Sequence, residues 1–175
     1  VAARAKKKYR EIIAKLPEFD KRDRFEMNIV NCAMLAAFIL CMPQRPDIKT
    51  LTDYYAAAMM TPTMKAFCCA SGKKKFTPKD IEGMKATAKL RAGERNPYSW
   101  NMDFFEYENG SGYEARFTTC GICTLMQVLG LYDLTPALCH LDYTMSDAGG
   151  ASDFVREYTL ASGGPYCDCG YHKKQ

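Results

Sequence analysis

Apolar positions in the first 95 residues recur at helical spacing, and beyond residue 96 the period shortens to that of strands. Tyr9, Ile12, Ile13 and Leu16 share one helical face, and Pro17 closes that segment. A second, almost wholly apolar helix is predicted from Arg24 to Cys41, stopped by "MPQRP". Thr50 followed by Asp53 reads as a capping-box start for "LTDYYAAAMM". A shorter helix over "TMKAFCCA" is expected to end at Gly72, and Thr77-Pro78-Lys79-Asp80 starts a helix that stops near Gly93.

From Trp100 the pattern changes. "WNMDFFEYE" and "YEARFTT" alternate and are separated by "NGSG", a hairpin signal. An apolar helix over "GICTLMQVLGLYDL" and a second, begun by Thr135 and Pro136 in "TPALCHLDYTM", follow. "DFVREYTLA" then alternates as a strand, with Phe154, Arg156, Tyr158 and Leu160 on one face, and "GGPYCDCGYH" reads as a turn and a last strand. The predicted class is α+β in one domain over 1–175. It has a helical part (1–95) and a small antiparallel β-sheet with a helical insertion (96–175).

Composition narrows the function classes. With 175 residues, 47% hydrophobic and 25% charged, the chain has the size and make-up of one globular domain. The longest apolar run, Ile29 to Met42, is shorter than the ~20 residues a bilayer span needs and contains Asn31, so neither a membrane anchor nor a signal peptide is expected. The net charge of +4 is concentrated in "ARAKKKYR", "GKKKF" and "HKK". These runs read as solvated ends and turns, not as a nucleic-acid surface. Nine cysteines, an odd number beside a normal core, fit a reducing cytoplasm, with Cys32 and Cys41 as core residues. The chain opens on Val1 in place of Met, so native residues are expected to precede it.

The candidate chemistry gathers in the last third. Cys120 stands where a strand gives way to a helix, so unpaired N–H groups and the helix dipole would favour its thiolate and hold an oxyanion. Cys123 completes C-G-I-C, but a thioredoxin-type dithiol follows a parallel strand, and here a hairpin precedes it. Cys123 therefore reads as core. Zinc is the open alternative: Cys120, Cys139 and Cys167, with Asp142, His140 or His172, would have to converge. Arg156, on a face with apolar neighbours, must be paired if buried, with Asp142 or Asp168, or else clamps a substrate carboxylate.

"RFTTC", "PALCHLD" and "FVREYTLASGGPYCDC" together resemble the L-2-amino-thiazoline-4-carboxylic acid hydrolase family over Tyr98 to Tyr171, while the helical half matches in character alone. Cys120, Cys139, Asp142, Arg156, Gly163 and Cys167 fall on its motif positions. The sequence departs from the pattern at Gly121, where proline is common, and at Cys169, where an aromatic is usual. The resemblance implies a hydrolase acting on carbon–nitrogen bonds of cyclic amidines, one that opens an aminothiazoline carboxylate to a carbamoyl-cysteine. Cys120, Asp142, Cys139 and Cys167 are the catalytic candidates, and Arg156, Gly121, His140 and Asp168 the substrate-binding ones. The expected partner is a small carboxylate substrate, without nucleic acid, membrane or cofactor. The alternative is a non-catalytic cysteine-rich module that binds a metal or a small ligand.

Overall fold

The computed structural model describes residues 1–175. Helix α1 (Ala2–Ile13) packs on α2 (Glu26–Cys41), whose Ile29, Cys32, Ala33, Ala36 and Ala37 are almost completely enclosed. α1 and α6 cover the buried face of α2, while Met27, Met34, Phe38 and Leu40 on it stay exposed. Cys32 is core as expected, whereas Cys41, at the helix end, stays half-buried.

Helix α3 (Ile48–Met59) begins earlier than the Thr50 reading. Asp47 is the cap, accepting from the Thr50 N–H at 2.8 Å, and Thr50 lies inside the first turn. A carboxylate reaching an amide three residues on meets the same need as a threonine cap. Helix α5 (Pro78–Arg91) starts as expected, capped by Thr77, and α4 (Pro62–Gly72) ends at Gly72 as expected but starts one residue before "TMKAFCCA", at Pro62 with Thr61 as its cap.

Strands β1 (Asp103–Glu106), β2 (Gly112–Phe117), β3 (Ser152–Val155) and β4 (Cys167–Lys173) form one antiparallel sheet in the order β1-β2-β4-β3. The final strand is therefore interior. Ala115 pairs with Cys169, Phe117 with Cys167, and Phe154 with Tyr171. Between β2 and β3 lie α6 (Gly121–Val128), α7 (Thr135–Cys139) and α8 (Leu141–Gly149). The α7–α8 pair runs on through His140 and ends at Gly150 in the left-handed conformation.

The strand expected through Leu160 stops at Val155. Beyond it the Asp168 carboxylate accepts the N–H groups of Glu157 at 2.9 Å and Tyr158 at 2.6 Å. Those amides are satisfied by a side chain in place of a strand ladder. Arg156 thus stands one residue past the sheet, with its side chain still turned inward. No helix is long and apolar enough to cross a membrane.

Candidate active site

The end of β2 is held in place before it turns. The Asn101 amide oxygen accepts the N–H groups of Thr118 and Thr119, both at 2.9 Å, and the Asn101 N–H donates to the Thr119 hydroxyl at 2.8 Å. Cys120 follows in extended conformation as the N-cap of α6. Gly121 is there because the backbone leaves no room: a Cβ would lie 2.0 Å from the Tyr98 carbonyl oxygen.

Four groups favour the Cys120 thiolate. The Cys123 thiol contributes most, joined by the backbone N–H groups of Cys123 and Ile122 and by the Trp100 indole; burial works against them, and the thiol is lowered to about 7. Cys123 is therefore more than the core residue expected from sequence. The neighbouring Cys120 sulfur pushes the Cys123 thiol upward, as does its burial. One helical turn between the two residues makes the contact possible.

The other sulfurs differ. Burial pushes Cys139 up to about 12, and raises Cys167 and Cys169, so all three are neutral thiols near pH 7. Cys167, Cys169 and Tyr171 alternate along β4 and face one cavity; Asp168, between the two cysteines, faces the other way and caps the 157–158 backbone. The C-D-C spacing is thus a strand alternation.

Arg156 is paired with Asp142, and both its Nη atoms donate to the Cys139 carbonyl at 3.4 Å. Its guanidinium also lies 4.7 Å from the Phe154 ring centre. The Arg156 side chain is 4% exposed, yet its Nε–H has no partner. Asp142 keeps 46% of its side-chain surface accessible, and it lines two adjoining cavities. Its ion pair with Arg156 favours the charged carboxylate, against the desolvation of the cavity wall.

Cys120, Cys139, Asp142, Arg156 and Cys167 all line one cavity of about 540 Å³. Its walls are mainly apolar. Three of the four substrate-binding candidates do not line it. Gly121 packs on Tyr98, Asp168 caps backbone, and His140 is exposed at the α7–α8 junction. Gly163, a motif position, supplies a left-handed turn after a short helical turn. His172 stacks on Tyr107 at 4.7 Å in the sheet. No three His, Cys, Asp or Glu side chains are arranged as metal ligands. All nine cysteines are free thiols.

Residues that sequence reasoning passed over complete the site. Trp100 reaches the cavity with its carbonyl held by Arg91 Nε at 2.9 Å. Arg91 is itself buried, bonded to Asp23 at 3.0 Å, to Ser99 and to Glu94 at 2.6 Å. A smaller cavity of about 220 Å³ shares Phe67, Asp142, Met145 and Tyr171 with the first. There Lys75 turns inward from the basic run, its Nζ 3.3 Å from the Tyr171 ring centre, and burial lowers it to about 8. Lys75 thus corrects the reading of that run as wholly solvated.

The family model for L-2-amino-thiazoline-4-carboxylic acid hydrolase matches residues 27–171. The chain belongs to this family. Membership in the thiazoline hydrolase family carries with it a hydrolase in the general sense. The match also extends the resemblance read from Tyr98 onward back to α2. Most of the helical half, from Met27 onward, is therefore part of the match. No curated protein and no solved structure shows measurable similarity to the chain.

A pH profile checks the thiol. Because the Cys120 pKa is lowered, the thiolate is populated above about pH 7 and lost below it. The rate of Cys120 alkylation by iodoacetamide should therefore rise with a midpoint near pH 7. In Cys123→Ala the midpoint should move up toward the ordinary thiol value of about 8.5. A midpoint unchanged by that substitution would show that Cys123 does not tune Cys120.

Proposed function

We propose that the protein hydrolyses a cyclic amidine or isothiourea such as 2-amino-thiazoline-4-carboxylate, using Cys120 as nucleophile. The observation that carries this reading is the single lowered thiol, standing at a helix start and opening into a cavity that also holds a buried arginine. The thiolate adds to the sp2 ring carbon, and the N–H groups at the start of α6 stabilise the adduct. Collapse breaks one ring bond of that carbon, to sulfur or to nitrogen, the departing heteroatom keeping the bonding pair, and leaves the carbon bonded to Sγ. Water then adds to the same carbon, the Cys120 thiolate leaves, and the carbamoyl product is released.

Asp142 takes the proton of the attacking water, a role open to a carboxylate that lines the cavity and keeps part of its surface accessible. Arg156, which lines the cavity, supplies the positive charge for the substrate carboxylate. Cys139 and Cys167 remain protonated and form neutral, polarisable walls. The reading needs no metal.

The test is to incubate metal-free protein with the aminothiazoline carboxylate and follow the product by mass. A gain of one water per substrate is expected. A new free thiol in the product marks cleavage of the ring C–S bond, and its absence marks C–N cleavage. No gain of water, with activity restored by stoichiometric zinc, would replace the free-thiol mechanism with a metal one.

A further inference from the structure

We propose that the molecule received by the thiol cavity carries an extended apolar arm beside its reactive head, an inference that rests on reading this cavity as the substrate site. A single small ring with one carboxylate engages only the few polar side chains of the lining, among them Cys120, Asp142 and Arg156. The cavity, at about 540 Å³, has the size of sites that enclose drug-sized ligands, which run from roughly 300 to 1,000 Å³. The greater part of its lining offers nothing to a polar head.

That lining has a distinct chemistry. Met27, Met59, Met64 and Met145 line the one cavity, four of the ten methionines in the chain, together with Tyr55 and Phe67. They come from α2, α3, α4 and α8, whereas Cys120 comes from the start of α6. Unbranched thioethers from four helices make a wall that adapts to apolar groups of varied shape. Two of these residues, Met27 at 62% and Phe67 at 60%, remain exposed to water. Standing at the cavity, these two side chains offer apolar surface that an apolar ligand would cover. The arm therefore lies along the methionine wall toward Met27 and Phe67, with the electrophilic carbon at Cys120.

Trp100 is the chain's single tryptophan and lines this cavity, so its fluorescence reports occupancy directly. The native protein is titrated with straight-chain carboxylates from acetate to decanoate, and with primary amides of the same lengths. The rate of Cys120 alkylation is followed in parallel. Affinity should improve about fourfold per methylene in both series until the cavity is full, and Cys120 should be protected in the same order. Met64→Gln should flatten the slope.

Affinity indifferent to chain length in both series would overturn the proposal. So would a slope without protection of Cys120, since the arm would then bind elsewhere. The hydrolysis assay is separate: loss of turnover with the slope intact sinks the catalytic reading alone, and turnover without a slope sinks the apolar arm alone. A preference for carboxylate over amide at equal length bears on Arg156.

Discussion

Cys120→Ser is expected to lower turnover of the aminothiazoline carboxylate by at least about 10³-fold while leaving the fold intact. A serine hydroxyl fits wherever the thiol fits, so packing against Trp100 and Ile122 is kept. What is lost is ionisation. The Cys123 thiol, two backbone amides and the Trp100 indole together bring the thiol to about 7, and no such set of donors brings an alcohol into the range of neutral pH. Cys139→Ser and Cys167→Ser should each cost less than about tenfold, because burial keeps those thiols protonated in any case. The comparison is made by steady-state kinetics on the three variants, with Trp100 fluorescence and circular dichroism confirming the fold. Activity retained by Cys120→Ser would remove the nucleophile from the mechanism.

The largest effect on stability is expected far from the chemistry. Arg91→Met should cost about 3–5 kcal/mol, because it leaves the buried Asp23 carboxylate without its cation. For a domain of this length that is a fall in melting temperature of about 10 °C. Asp23, Ser99 and Arg91 are all buried, and the ion pair joins the loop before α2 to the end of α5. The same arginine holds the Trp100 carbonyl, so the residue that helps tune Cys120 is positioned through it. Thermal unfolding measures the first effect. The alkylation midpoint of Cys120 measures the second and should move upward in the variant at temperatures where it remains folded. A variant as stable as the native chain would show that Asp23 finds another partner.

Much of the fold could be read from local pattern. The apolar run of α2, the proline-started helices α4 and α5, and the "NGSG" hairpin each carry a signal within one element. The misreadings have physical causes. Asp47 lies ahead of the apolar pattern that drew attention to Thr50, so the earlier cap was overlooked. The alternation of "DFVREYTLA" continues past the strand, because a side chain from β4 supplies what a neighbouring strand would have supplied. Arg91 sits in the last turn of a helix, where a cation ordinarily faces solvent and the helix dipole, and nothing local marks it as buried.

Cys120, Cys139, Asp142, Arg156 and Cys167 were nameable as candidates because their residue types and order resemble a family pattern, and they line one cavity. Which of them shares a function with which depends on distances between segments far apart in the chain. Pattern alone could not show that Cys123 tunes Cys120, that Arg156 pairs with Asp142 and not Asp168, or that His140 lies outside the cavity. By itself the sequence determined the helices, the hairpin and the list of reactive side chains, since each depends on neighbours within a few residues. Tertiary structure alone decided which thiol ionises, which charges pair and how large a ligand fits, because burial and hydrogen bonding are set by the groups that packing brings together.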